Sequence, residues 1–144
     1  MAIDNSGEHA RGDDFADLAD HLRDYKPGGY PVAQVNELAC EPCGGGTFAV
    51  LVDEVEGCAQ ARCLACGAAA LIGDSADYLE DADLGECACP CGGEDFQVAV
   101  GFALTADGEV RWLSVALRCV RDGTLGVYTD WKIDYEPSRH LLGG

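Results

Sequence analysis

Apolar residues near the start of the chain recur at helical spacing. They follow the i, i+3, i+4, i+7 and i+10 positions of one helix face: Phe15, Leu18, Ala19, Leu22 and Tyr25. Asp13 or Asp14 can cap the first turn, and the sequence KPGGYP that follows is typical of a helix end. We therefore predict one short helix over residues 13–26, after a disordered segment over residues 1–12.

Residues 96–119 instead alternate in the manner of a β-hairpin. Asp107-Gly108, at the centre of this stretch, is a two-residue turn signal. Centring the turn there gives four apolar pairs on one face: Phe102 with Leu113, Val100 with Val115, Val98 with Leu117 and Phe96 with Cys119. The same register pairs residues on the other face: Gln97 with Arg118, Ala99 with Ala116 and Ala103 with Trp112.

The two halves of the chain resemble each other over three separated segments. CEPCGGGTFAV, from Cys40, aligns with CACPCGGEDFQV, from Cys87, so that Phe48 falls on Phe96. RCLACG then matches RCVRDG, and LIGD matches VYTD at the same offset. This concordance predicts an internal repeat of turn, hairpin, turn and strand. It divides the chain into a first unit over residues 32–74, an acidic linker over 75–86, a second unit over 87–135 and a tail over 136–144.

The first unit carries the clearest chemical signal. Two residues separate Cys40 from Cys43 and Cys63 from Cys66, and 19 residues separate the two pairs. Two Cys-x-x-Cys-Gly turns joined by a hairpin can close a tetrahedral shell of four sulfurs around Zn²⁺. Iron is also held by such a shell, and a redox dithiol or two disulfides are competing interpretations.

These turns resemble the rubredoxin-like knuckles of the zinc-ribbon family, over residues 38–74 and, with departures, over 86–130. The resemblance implies a mainly β fold of tandem zinc ribbons. Each ribbon would be an antiparallel hairpin with a third strand, and one short N-terminal helix would precede them. Such small units need a stabilising element beyond a hydrophobic core, and metal suits a chain whose cysteines come in pairs.

The second unit departs from the family pattern at two positions. Asp122 stands where the first unit has Cys66, and Ala88 aligns with Cys40. Four thiols remain for a second site: Cys87, Cys89, Cys91 and Cys119. Because zinc prefers sulfur to a single carboxylate, we expect Cys87 to be the fourth ligand. Asp122 is the alternative ligand, and an empty site with Asp122 merely starting a turn is a third interpretation.

The other candidate ligands lack ligand-spaced neighbours. Cys58 is left over once both shells are filled, and we expect it to be an unliganded thiol. His9, His21 and His140 are best explained as surface or packing residues. The expected cofactor is therefore zinc, with two ions per chain.

The net charge of the chain limits the classes of partner that it is expected to bind. Nine Lys and Arg stand against 26 Asp and Glu, which gives a formal net charge of −17. Scattered basic residues argue against a nucleic-acid backbone as partner. The basic and aromatic residues Arg111, Trp112 and Arg118 keep a nucleic-acid role open as an alternative. A rubredoxin-like electron carrier is another.

The leading functional hypothesis is a zinc-stabilised module that recognises a protein, for instance as an acidic inhibitor or adaptor of a basic partner. We expect no enzyme, because a four-sulfur site is closed and no catalytic motif occurs, although a second site with three ligands would be open. Aromatic residues at 128, 131 and 135 either anchor a partner or cover the second unit. No signal peptide or membrane span is recognised, so a cytoplasmic location is expected; the oligomeric state is not determined by these patterns.

Overall fold

The computed structural model is mainly β with a short N-terminal helix, as the sequence predicts, and its described residues form one helix and eight strands. It describes residues 11–12, 14–23, 32–40, 43–53, 58–72, 75, 83–89, 92–106 and 108–133. The elements are α1 (Phe15–Arg23), β1 (Gln34–Glu37), β2 (Phe48–Asp53), β3 (Cys58–Cys63), β4 (Ala69–Leu71), β5 (Gly85–Glu86), β6 (Phe96–Leu104), β7 (Val110–Cys119) and β8 (Leu125–Lys132).

Helix α1 lies where its apolar stripe predicts. Leu18, Ala19 and Leu22 are buried, and the first turn is capped by Asp14, whose Oδ1 accepts a 3.1 Å hydrogen bond from the Asp17 amide. The buried face packs on the sheet in a small apolar cluster: Leu18, Leu22, Ala99, Ala116 and Leu125. Asp13, Tyr25 and the predicted helix end at KPGGYP lie outside the described residues.

The strands form one antiparallel sheet in the order β4-β3-β2-β6-β7-β8. Its two halves meet where Phe48 pairs with Phe96 at the starts of β2 and β6. The strand that precedes each hairpin pairs with the other hairpin: β1 pairs with β6, and β5 pairs with β2. Gly85 and Glu86, at the end of the predicted linker, therefore belong to the sheet.

The register predicted for the second hairpin is confirmed. Each predicted pair between Phe96 and Ala103 is present, from Phe96 opposite Cys119 to Ala103 opposite Trp112. The hairpin tip differs from a plain two-residue turn, because the register shifts after Ala103 and Leu104 pairs with Val110. Asp107, one of the two predicted turn residues, lies outside the described residues.

The main core contains residues of both hairpins, among them Phe48, Phe96 and Phe102. Residues of β8 and the residue after it contribute to this core: Ile133 is buried, and Tyr128 and Trp131 pack against the cluster while partly exposed. This agrees with the interpretation in which they cover the second unit. Tyr135, residues 1–10, most of the predicted linker and the tail lie outside the described residues. No helix within the described ranges is long and apolar enough to span a membrane.

Candidate metal centre

Four cysteine sulfurs converge in the first half of the chain. The Sγ atoms of Cys40, Cys43, Cys63 and Cys66 all lie within 4.8 Å of one another. Two of the distances, Cys40 to Cys66 and Cys43 to Cys63, are 3.5 Å. A tetrahedral shell with Zn–S bonds of about 2.3 Å has edges of about 3.8 Å, so the group fits a metal ion. None of the eight described cysteines is in a disulfide.

Two tight turns, here called knuckles, hold these sulfurs. In each, the amide of the glycine after the second cysteine donates to the carbonyl of the first: Gly44 to Cys40 (2.6 Å) and Gly67 to Cys63 (2.8 Å). Both glycines have positive φ, 74° and 80°, a conformation that a side chain disfavours. The sequence Cys-x-x-Cys-Gly therefore folds locally into a turn that presents both sulfurs on one side.

The first hairpin brings the two knuckles to the same level. Phe48 of β2 pairs with Cys63 of β3, and the Leu64 amide donates to the Thr47 carbonyl at 3.1 Å. Gly45 lies close to the sulfurs, since a Cβ there would be 3.0 Å from Cys63 Sγ and 3.3 Å from Cys43 Sγ and would press on both. Sequence reasoning missed this role, since the triple glycine gave no sign of which member faces the sulfurs.

Hydrogen bonds from the knuckle backbone shift the pKa of the cysteine thiols. Backbone bonds from Cys66 and Ala65 lower the pKa of the Cys63 thiol to about 7 against the effect of burial. At Cys40 the backbone bond from Cys43 has the largest influence and lowers the pKa, but burial and the neighbouring sulfurs outweigh it and raise the Cys40 pKa to about 12. Four adjacent thiolates therefore need a cation to remain ionised together.

A second group of possible ligands lies in the other half of the sheet. It consists of Cys89, Cys119 and Asp122, whose ligand atoms are all within 4.8 Å of one another. Cys89 Sγ is 3.5 Å from Oδ1 of Asp122 and 3.7 Å from Oδ2. Cys87 is buried but is not a member of the group. Cys91, predicted from the sequence as a ligand, lies outside the described residues.

The Asp122 carboxylate is fixed by its surroundings. Its Oδ1 accepts a 3.0 Å hydrogen bond from the Thr124 amide, and Arg11 Nη2 lies 3.9 Å from Oδ2. The Thr124 backbone bond, with contributions from the Thr124 hydroxyl and the sulfurs of Cys119 and Cys89, holds the pKa of Asp122 well below its usual range although burial opposes this. Asp122 is therefore ionised at neutral pH.

The end of the N-terminal segment also contacts this group, which the sequence did not indicate. Arg11 forms an isolated antiparallel β-bridge with Thr124, and the Gly12 amide donates to the Gly123 carbonyl at 2.8 Å. Arg118 Nε donates to the Gly12 carbonyl at 2.9 Å. Arg11 and Gly12 were expected within the disordered segment. The sequence gave no sign of their contact, because a polar stretch that pairs through its backbone has no hydrophobic periodicity.

Cys58 belongs to neither group. It is buried at the far end of β3 from Cys63, and its thiol donates to the Ser75 carbonyl at 3.5 Å. Strand geometry places it roughly 16 Å from the first sulfur group. His21 lies on α1, and His9 and His140 lie outside the described residues.

The first group offers four sulfur ligands, which are enough to fill a tetrahedral shell without water or substrate. Such a shell can stabilise a fold or carry one electron, according to the metal. Comparisons with protein-family models, curated proteins and solved structures give no match to this chain.

Proposed function

We propose that the protein is a zinc-stabilised recognition module built from two zinc-ribbon-like units, with the Cys40, Cys43, Cys63 and Cys66 group as its structural zinc site. The single observation that carries this is the convergence of four sulfurs within 4.8 Å of one another, two of the distances being 3.5 Å, on two knuckles with left-handed glycines. Zinc is the metal most often found in closed four-sulfur structural sites. The closed shell also supports a role other than catalysis.

A basic protein partner is favoured by charge. The formal net charge is −17 with all cysteines counted as neutral, and four thiolates around Zn²⁺ would add −2. Exposed carboxylates are spread over the described surface: Asp14, Glu37, Asp83, Glu86, Glu94 and Asp95. A surface of this sign attracts a basic partner and accelerates their encounter. On this proposal the protein acts in the cytoplasm as an acidic inhibitor or adaptor.

The nucleic-acid alternative is weakened by intramolecular contacts of the residues that suggested it. Arg118 binds the Gly12 carbonyl and the Gln97 side chain. Arg111 donates to the Ile133 carbonyl, and the Trp112 indole donates to Asp130 at 3.0 Å. Binding a phosphate backbone would have to compete with these bonds as well as with the net negative charge.

Metal analysis of the purified protein tests the first part of the proposal. We expect a colourless protein that contains zinc and loses its near-ultraviolet circular dichroism when a chelator removes the metal. A red protein with stoichiometric iron would instead support the electron carrier. Metal-free protein with the same spectrum as the native protein would contradict a structural site.

Partner capture at two salt concentrations tests recognition. Immobilised protein should retain basic host proteins at low salt, and retention should fall as salt screens the charges. An unrelated acidic protein of equal net charge is the control, because it retains whatever binds negative charge without specificity. Equal capture by both proteins would contradict specific recognition. Filter binding of DNA and RNA at low salt would reveal the nucleic-acid alternative.

A further inference from the structure

The two hairpins of the sheet have matching registers, which assigns each residue a counterpart. Phe48 opposite Cys63 in the first hairpin corresponds to Phe96 opposite Cys119 in the second. The third strands agree as well, since Gln60 pairs with Leu71 and Ala116 pairs with Val127. Counterparts can therefore be read from hydrogen bonds rather than from sequence similarity, including at positions where the sequences differ.

The last knuckle of the second half has the same backbone bonds as its counterpart. The Cys119 amide donates to the Thr124 carbonyl, and the Cys119 carbonyl accepts from the Gly123 amide. In the first half, the Cys63 amide donates to the Ala68 carbonyl, and the Cys63 carbonyl accepts from the Gly67 amide. Both glycines have a φ of 80°. Asp122 therefore occupies the ligand position of Cys66 within an intact knuckle.

The remaining knuckle is one residue shorter, and this changes the alignment of its cysteines. The Cys89 amide donates to the Gly93 carbonyl, and the Cys89 carbonyl accepts from the Gly92 amide, at 2.8 Å in both cases. In the first half the same bonds join Cys40 to Gly45 and Gly44. The counterpart of Cys40 is therefore Cys89, not Ala88 as sequence alignment suggested.

Cys87 has a counterpart that is not a ligand. The Cys87 amide donates to the Val50 carbonyl at 2.8 Å, and the Leu38 amide donates to the carbonyl of the corresponding Val98 at 3.0 Å. Leu38 packs against the main core, and Cys87 is a buried member of that core. The backbone thus assigns Cys87 to a packing position at the entry to the knuckle.

The distances in the second group fit a metal with one oxygen ligand. For Zn–S bonds of about 2.3 Å and Zn–O bonds of about 2.0–2.2 Å, a tetrahedral edge between sulfur and oxygen is about 3.5 Å. Cys89 Sγ and Asp122 Oδ1 are 3.5 Å apart. A carboxylate has about four lone-pair sites, so the bond from Thr124 leaves oxygen lone pairs for a metal.

We propose that Asp122 is a ligand of a second zinc centre together with Cys89 and Cys119, and that Cys87 is a core residue outside its shell. This inference shares with the proposed function only the identity of the metal and does not depend on a partner. Cys91, which the sequence also predicts as a ligand of this centre, directly precedes Gly92 and lies outside the described residues. Because a carboxylate holds zinc less tightly than a thiolate does, the second centre releases its metal before the first.

Substitutions of Asp122 separate a ligand from a turn former. Asp122→Asn keeps an oxygen that can accept the Thr124 bond but removes the anionic ligand, whereas Asp122→Cys supplies a thiolate and loses that bond. For a ligand, we expect zinc affinity at the second centre to fall by at least about 100-fold in Asp122→Asn and to rise in Asp122→Cys. A turn-forming Asp122 would give the opposite order. Competitive zinc titration with a chromophoric chelator measures both variants.

Cys87 provides the second arm, measured by zinc stoichiometry in native mass spectrometry. Cys87→Ala and Cys87→Ser should both retain two zinc ions and release the second at the wild-type rate. Cys66→Ser is the control, since it should lose the zinc of the first group and leave the second group filled, which separates failure of this inference from failure of the first site. Loss of the second zinc in both folded Cys87 variants, or unchanged affinity in Asp122→Asn, would overturn the inference.

Discussion

Single glycines determine how closely the backbone can approach the ligands. Gly45 and Gly46 are neighbours with different surroundings. A Cβ on Gly45 would press on the sulfurs of Cys63 and Cys43, at 3.0 Å and 3.3 Å, whereas nothing lies within 4 Å of a Cβ on Gly46. The two positions thus form a matched pair in which only one substitution touches the metal shell.

We expect Gly45→Ala to accelerate zinc release from the first group by about 10-fold or more, because displacing a sulfur distorts the tetrahedron. Gly46→Ala should release zinc at the wild-type rate. Both changes remove a glycine from the unfolded chain, so that effect cancels in the comparison. Zinc transfer to a chromophoric chelator gives the rates. Equal rates in the two variants would show that the knuckle adjusts without disturbing its sulfurs.

A second matched pair tests the contact between the N-terminal segment and the Asp122 knuckle. Gly67 and Gly123 both have a φ of 80°, but a Cβ on Gly123 would lie 2.5 Å from the Gly12 carbonyl oxygen, and one on Gly67 has nothing within 4 Å. Gly67→Ala should therefore cost only the left-handed conformation, about 1–2 kcal/mol. Gly123→Ala should cost roughly 1–2 kcal/mol more, since the backbone at Gly12 must move.

Urea unfolding in the presence of zinc compares these two variants. A larger loss in Gly123→Ala should be accompanied by faster amide exchange at Gly12, whose amide donates to Gly123. If both glycine variants lose the same stability and Gly12 stays protected, the contact contributes little to the fold.

At the level of elements, helix α1 is held against β6 at a residue without a side chain. A Cβ on Gly101 would lie 2.8 Å from Leu22 Cδ2 and 3.1 Å from Val32 Cγ1. Leu22 is fully buried and belongs to the small cluster under the helix. Leu22 therefore packs directly over a position of β6 that has no side chain.

We expect Gly101→Ala to destabilise the fold by about 1–3 kcal/mol through overpacking, and Leu22→Ala to cost about 2–5 kcal/mol through a cavity. The double variant should lose less than the sum, because the new methyl group occupies part of the space that Leu22 leaves. Urea denaturation of the four proteins completes the cycle. Strict additivity would mean that the two residues do not meet across the interface.

For the whole molecule, the shared sheet predicts that the two halves unfold together. They meet at Phe48 and Phe96, and each hairpin is extended by the strand that precedes the other. The two tryptophans, Trp112 and Trp131, both lie in the second half. Their fluorescence therefore reports on a half that does not contain the four-cysteine group.

Cys63→Ser should lower the stability detected by tryptophan fluorescence, because loss of zinc from the first group weakens the hairpin on which β5 and β6 rest. The fluorescence and far-ultraviolet circular dichroism transitions in urea should still coincide. Cys58→Ser is the control, and its zinc content should equal that of the wild type. An unchanged tryptophan transition in Cys63→Ser would mean that the halves fold independently.

The sequence by itself determined the local features of this protein. The apolar stripe predicted α1, the alternation around Asp107 predicted the pairing of β6 with β7, and the cysteine spacing predicted which four sulfurs of the first half converge. Each of these three features depends either on residues that are close in sequence or on the pairing register of a single hairpin. Periodicity and turn chemistry encode such relations directly.

The tertiary structure decided the relations between distant segments. Only the fold brings β5 to β2 and Gly12 to Gly123. Between Cys87 and Asp122, the two alternatives that the sequence left open, it places Asp122 in the group with Cys89 and Cys119. Alignment on the glycines without a gap matched Cys40 to Ala88, because a one-residue shortening of the turn shifts every residue that precedes it. The backbone bonds of Cys89 and Cys87 reveal it, since hydrogen bonds fix each residue's place regardless of its side chain.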